Sequence, residues 1–145
     1  SGCYKDGVHY YPVRIYFEDT DAGGIVYHAN YLRYMERARS DMLRLLGINQ
    51  RASIEAGEGV YAISHMEIDY RSPAKLDDDL VVVSRMERVS GATVSIAQKV
   101  MRGDTLLTDA TVTVAFISPE GRPKRQPKEW VALYQSIATG EPSPS

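Results

Sequence analysis

The alternation of apolar and polar positions predicts a strand, a long helix, four strands and a short helix. Residues 10–18 are rich in β-formers, with Val13, Ile15 and Phe17 on one face and Arg14 and Tyr16 on the other, so a strand is predicted there. It runs into Asp19-Thr20-Asp21-Ala22-Gly23-Gly24, a turn-rich segment. Over 29–46 the period becomes helical. Tyr31, Met35, Ala38, Met42 and Leu45/Leu46 form an apolar stripe, and Arg33, Glu36, Arg37, Ser40, Asp41 and Arg44 lie mainly off it. Gly47 supplies the stop. Asn49 to Gly59 is polar and mixed, read as a loop holding a short helix.

Four strand-like runs follow. Val60, Ala62, Ser64, Met66, Ile68 and Tyr70 share one face, ahead of Ser72-Pro73. Leu80, Val82 and Met86 oppose Val81, Val83 and Val89 in the next. Ala92, Val94, Ile96 and Val100 follow a Ser90-Gly91 turn, and Leu106, Ala110, Val112, Val114 and Phe116 follow Gly103-Asp104. The last three runs are spaced like an antiparallel meander. Pro127 to Ala138 reads as a closing helix. The fold class is therefore α+β: a five-stranded antiparallel sheet beside one long helix, with a short C-terminal helix. Its free edges invite pairing between subunits, so a dimer is expected. The expected organisation is a flexible N-terminus at 1–7, one domain over 8–138 and a disordered tail at 139–145.

Composition narrows this. A chain of 145 residues, 43% hydrophobic and 25% charged, fits one ordinary globular domain and disfavours disorder. A net charge of −2 announces no basic face, so no nucleic-acid partner is expected. Cys3 is the sole cysteine, which rules out an internal disulfide and fits a reducing, cytoplasmic setting. The start is polar, and the longest apolar runs span four or five residues, such as Leu80–Val83. A membrane helix needs about 20, so a soluble chain is expected. His9, His28 and His65 lack metal-ligand spacing and no Cys-x-x-Cys occurs, so no metal is expected. Gly23-Gly24 is neither a dinucleotide nor a phosphate-loop fingerprint. Ser64, Ser72 and Ser84 show no nucleophile elbow.

The chemistry concentrates in Glu18-Asp19-Thr20-Asp21-Ala22-Gly23-Gly24-Ile25-Val26-Tyr27-His28-Ala29-Asn30-Tyr31. Three carboxylates, two adjacent glycines and a histidine sit between a strand and a helix. A helix start leaves backbone N–H groups free and favours negative charge, which makes an oxyanion site. Gly23 and Gly24 allow close approach to the backbone. An upstream carboxylate can act there as base or nucleophile. The same residues are also ordinary capping and turn residues, and pattern alone leaves both readings open.

The segment Tyr16–Arg39, Y-F-E-D-T-D-A-G-G-I-V-Y-H-A-N-Y-L-R-Y-M-E-R-A-R, resembles the signature of the 4-hydroxybenzoyl-CoA thioesterase family. Within it, the likeness is to the acyl-CoA thioesterases encoded with the bacterial Tol-Pal cell-envelope system. It continues in Tyr70-Arg71-Ser72-Pro73-Ala74-Lys75-Leu76-Asp77-Asp78 and reaches about Trp130. The resemblance implies the hotdog fold, in which the sheet wraps the long helix, and hydrolysis of acyl-CoA to a free acid and coenzyme A. It makes Asp21 the catalytic carboxylate, attacking the thioester carbonyl or activating a water. It makes the His28 backbone N–H the oxyanion donor, with Gly24 and Tyr27 shaping that wall. The His28 side chain then either bonds the carbonyl, orients the nucleophile, or merely packs at the helix start.

Asp19 reads as a turn acid. Glu36 on the long helix is the rival catalytic acid or an ordinary surface ion-pair residue. Arg122, Lys124 and Arg125 form a basic cluster after the last strand, either for the nucleotide end of coenzyme A or as a solvated loop. No cofactor is implied beyond the coenzyme A of the substrate. The family implies homodimers or tetramers of two dimers, with sites at subunit interfaces, and allows association with the inner-membrane periphery or acyl carrier protein. Two other functions remain in view: a hotdog dehydratase acting on acyl carrier protein thioesters, and a non-catalytic acyl-binding scaffold at the cell envelope.

Overall fold

The structure, a computed structural model, describes residues 2–138. Six strands form one antiparallel sheet in the order β1-β2-β4-β5-β6-β3. They are β1 (Cys3–Lys5), β2 (Val8–Arg14), β3 (Val60–Tyr70), β4 (Asp79–Val89), β5 (Thr93–Arg102) and β6 (Thr105–Ile117). The helices are α1 (Ala29–Leu45), α2 (Gln50–Glu55) and α3 (Lys128–Ile137). The α+β hotdog architecture holds, with one strand more than the five expected. Residues 1–7 were expected outside the domain, yet Cys3–Lys5 pairs with β2 through Cys3↔Tyr10 and Lys5↔Val8. The two-residue connection Asp6-Gly7 has φ of 53° and 79°. Positive φ at both positions is the geometry of a type I′ hairpin. The expected tail at 139–145 lies outside the described residues.

The expected strand over 10–18 ends at Arg14, and Phe17–Asp19 forms a 3-10 turn instead. Asp19 Oδ2 accepts from the Tyr16 N–H at 2.8 Å, which tightens that turn. The helix α1 stops as expected. Gly47 adopts φ +85°, Ile48 N–H reaches Leu43 O at 2.9 Å and Gly47 N–H reaches Arg44 O at 3.0 Å. That pair of bonds is a Schellman end.

Tyr31, Tyr34, Met35, Ala38 and Met42 of α1 pack on Leu80, Val82, Met86, Ile96, Val100 and Val112 of the sheet, all buried. The stripe turns slightly from the expected one, since Leu43 is buried while Leu45 is exposed. Asp41, expected off the stripe, is buried too. It accepts from His9 at 2.8 Å and from the Gly2 N–H at 3.0 Å, so it ties the β1–β2 hairpin to the helix. In β3 a bulge at Ser64 shifts the register between Ile63 and His65. One extra residue exchanges the faces: Tyr61 packs on the core before it, and Met66 and Ile68 after it. The single alternating face expected for β3 is thus broken in two.

Candidate active site

Residues 20–26 form a small hairpin of their own, with Thr20 bridged to Val26 and Asp21 N–H bonded to Ile25 O at 2.9 Å. Gly24 turns it at φ +80°, with nothing within 4 Å of where a Cβ would sit. Its need for glycine within the chain is thus conformational. Asp21 Oδ1 accepts from the Gly23 N–H at 2.8 Å, an Asx-turn. The second Asp21 oxygen has no hydrogen-bond partner among the described residues.

The chain then enters α1 at His28. The backbone N–H of His28 makes no hydrogen bond among the described residues. That is the orphan donor a helix start provides. The second motif of the family resemblance, Tyr70–Asp78, folds against this corner. Tyr70 Oη donates to His28 O at 3.2 Å, Ala74 N–H donates to Tyr31 Oη at 2.9 Å, and Val26 N–H donates to Ala74 O at 2.8 Å. The His28 ring lies between Tyr27 and Tyr70, with ring centroids 4.7 Å and 5.8 Å away, and makes no capping bond. Burial would raise the Asp78 carboxyl, but the Lys75 N–H and the Arg102 guanidinium, 2.8 Å and 3.0 Å away, outweigh it and hold the carboxyl low. Arg102 also reaches Pro73 O, so this ion pair braces the turn behind the corner.

The result is an open groove of about 340 Å³ lined by Asp21, Tyr27, His28, Tyr31, Tyr70 and Pro73, among others. Asp21 and Tyr27 are exposed. Asp21, Tyr27 and His28 are brought together, as the sequence predicts. Gly24 is adjacent but not in the lining. Tyr70, Ser72 and Pro73 line the groove and were not expected as site residues; the Tyr70–Asp78 motif was their signal. Glu36 lies eight residues beyond His28 along the chain, about 12 Å at a rise of ~1.5 Å per residue, and does not line this groove.

The basic cluster is elsewhere. Lys124 Nζ donates to Glu58 O, the Arg125 guanidinium covers Gly91, and Arg122 is exposed. Glu58 precedes β3, whereas the groove follows its last residue, Tyr70. The eleven residues of β3 span roughly 33 Å at about 3.3 Å each. Within one chain, Arg122, Lys124 and Arg125 therefore do not meet Asp21. No group of three or more His, Cys, Asp or Glu among the described residues is arranged to hold a metal ion. No helix among them is long and apolar enough to cross a membrane.

The family model of the thioesterase superfamily matches residues 23–108. The chain belongs to the thioesterase superfamily. It is 42% identical over 128 residues to the acyl-CoA thioesterase YbgC of Haemophilus influenzae, covering 88% of this chain and 94% of that protein. It is 38% identical over 127 residues to the acyl-CoA thioester hydrolase YbgC of Escherichia coli O6:H1, covering 86% and 94%. A probable thioesterase from Bartonella henselae superposes with a TM-score of 0.78 at 37% identity, covering 83% of this chain and 99% of that one. The superfamily match takes in the groove from Gly23 through Pro73 but starts two residues after Asp21.

Proposed function

We propose that the chain is an acyl-CoA thioesterase that uses the Asp21 carboxylate as nucleophile or as base for water. The products are a free carboxylic acid and coenzyme A. The observation that carries this is the groove itself: a carboxylate with one unbonded oxygen beside the free N–H of a helix start. A thioester carbonyl held at the His28 N–H places its developing oxyanion at the positive end of α1, within the reach of Asp21. The tyrosines of the lining, Tyr27 and Tyr70, pack the His28 ring as an apolar wall. No cofactor is invoked, because coenzyme A enters as part of the substrate.

The working unit is proposed to be a dimer paired through β3, two of which can assemble into a tetramer. β3 is a sheet edge, with Ile63 and Tyr70 exposed on it. Two-fold antiparallel pairing of β3 with a second β3 brings the Tyr70 end of one chain to the Val60 end of the other. It thereby brings the Asp21 groove to the partner's Arg122, Lys124 and Arg125, which supply cations for the nucleotide phosphates of coenzyme A. A cytoplasmic location rests on the low cysteine content, and a link to the Tol-Pal system at the inner-membrane periphery or to acyl carrier protein rests on the motif resemblance.

A panel of acyl-CoA substrates with free-thiol detection tests the reading on wild type, Asp21→Asn and Glu36→Gln. Loss of a positioned acid–base group costs about 10²–10⁴ in rate, so Asp21→Asn should lose at least about 10² while Glu36→Gln stays near wild type. The reverse pattern moves the catalytic acid to α1. Hydration of a crotonyl thioester without thiol release favours the dehydratase, and tight binding without turnover favours the scaffold.

A further inference from the structure

The proposed reaction needs two groups at one carbonyl, and they belong to separate local units. Asp21 sits in the hairpin 20–26, closed internally by Asp21 N–H to Ile25 O at 2.9 Å and by Gly24 N–H to Asp21 O at 3.0 Å. The His28 N–H belongs to the start of α1. Neither hairpin bond fixes the one unit against the other. Two further bonds do so, and they converge on the carbonyl oxygen of Asp19, two residues before Asp21. The Tyr27 N–H reaches it at 3.2 Å. The side-chain amide of Asn30, the second residue of α1, reaches it at 2.9 Å. A carbonyl oxygen has two lone pairs, so both are used, and the shorter bond is the one from the side chain. The Asn30 backbone N–H also donates to Tyr27 O at 2.9 Å. Tyr27 O and the His28 N–H lie on opposite sides of one planar trans peptide, so fixing the first aims the second. Asn30 thus holds the oxyanion donor through its backbone and the base of the Asp21 hairpin through its side chain.

We propose that Asn30 is a positioning residue of the thioesterase reaction, whose side-chain amide sets the Asp21 carboxylate against the His28 N–H. This rests on the reading of Asp21 as the reacting carboxylate. Asn30 is half-buried and does not line the groove, so it acts through Asp21 rather than on the substrate. Asparagine is a poor choice for helix propensity, because its side chain competes for backbone groups. Here that competition is the use: the amide leaves the helix to bond a carbonyl eleven residues back. Alanine or leucine at this position would favour the helix and bond nothing. The contact matters because a catalytic group displaced by about 1 Å can cost about 10² in rate.

The test is steady-state hydrolysis of acyl-CoA, well below the unfolding midpoint, by the full chain and by Asn30→Ala, Asn30→Leu, Asp21→Asn and the double variant Asp21→Asn/Asn30→Ala. Both Asn30 variants should lose about tenfold to a hundredfold in kcat. KM should stay near wild type, because the alignment counts in the transition state and no groove contact is removed. Alanine and leucine are better helix formers than asparagine, which offsets the lost bond, so the unfolding midpoint should change little. Leucine keeps the branched shape of asparagine and carries the test should alanine fail to fold. Adding Asn30→Ala to Asp21→Asn should cost nothing further, since a residue that acts through Asp21 has nothing left to position. Wild-type kcat in the Asn30 variants overturns the proposal, as does a rise in KM alone or a full additional loss in the double variant. If neither Asn30 variant folds, the bond is a folding contact and the proposal falls. Near-normal turnover in Asp21→Asn instead strikes the reading of Asp21 itself, whereas an inactive Asp21→Asn beside active Asn30 variants strikes the positioning role alone.

Discussion

Tyr31→Phe removes one oxygen atom and tests how the groove is held together. Tyr31 is 3% exposed and Ala74 fully buried. The Ala74 N–H donates to Tyr31 Oη at 2.9 Å, and no water can replace that acceptor without opening the core. Burial is also what raises the Tyr31 hydroxyl above its ordinary pKa, so it stays protonated at working pH. Leaving a buried donor unbonded costs about 1–3 kcal/mol. With ~2.1 cal/mol/K of unfolding entropy per residue, a chain of 145 residues carries about 0.3 kcal/mol/K. The midpoint of thermal unfolding should therefore fall by about 3–10 °C, measured by circular dichroism at one fixed protein concentration. Because Ala74 O also holds the Val26 N–H, the loss should loosen the groove and raise KM for acyl-CoA. Tyr16→Phe is the control, since that tyrosine is 59% exposed. A Tyr31→Phe midpoint within about 1 °C of wild type would refute the claim that this bond braces the site.

Two further predictions address the ends of the molecule. The Asp41 carboxyl, which burial alone would raise, is held below its ordinary 3.8 by His9, Arg44 and the Gly2 N–H. Its folded value is depressed, so the stability it contributes is full above 3.8 and is lost as pH falls through the folded value. Unfolding free energies of wild type and Asp41→Asn, from denaturant titrations, should differ by about 1–3 kcal/mol near neutrality and converge in acid; parallel pH curves would remove the effect. Reversing charge at Arg122 and Lys124 should raise KM for acyl-CoA several-fold and leave small thioesters lacking the nucleotide unchanged. An equal response of both substrates would detach this loop from coenzyme A.

Much of the architecture is legible because period follows burial. β4 alternates as far as Met86 and β5 as far as Val100, and their inward residues are those the pattern marks, Leu80, Val82, Val94 and Ile96. The exceptions have physical causes. Ser64 is compatible with either face of a strand, so nothing local marks the bulge that exchanges them. Arg39 and Asp41 look like solvent-facing charges, and only their distant partners Gln98 and His9 explain their burial. The β1–β2 hairpin was readable, since Asp6-Gly7 is a strong turn signal, but a strand of three residues is too short for periodicity to register. At the site, Asp21 and His28 stand in one continuous motif. Tyr70 stands 42 residues away from the His28 carbonyl it bonds; the Tyr70–Asp78 motif marks the stretch, but local pattern does not report which distant group it meets.

The openness of the groove bears on how complete one chain is. Asp21, Tyr27 and His28 are all exposed, and a charge in water-filled surroundings is strongly screened. Two unit charges 4 Å apart interact by about 1 kcal/mol in water and about 4 kcal/mol at an effective dielectric near 20. An oxyanion donor worth about 2.7–4 kcal/mol in transition-state stabilisation therefore needs the lower-dielectric setting. The substrate itself excludes some water, and the paired β3 edges proposed above exclude more, because they cover the Tyr70 side of the groove. The same proposed pairing would supply the cations that one chain places roughly 33 Å away, at the far end of β3. Both deficits of the single chain, an open oxyanion site and a distant basic loop, would be met by that one proposed contact. A monomeric variant made by placing proline in β3 should keep its fold yet lose turnover with acyl-CoA. A monomer that hydrolyses acyl-CoA at the wild-type rate would overturn the need for a second copy.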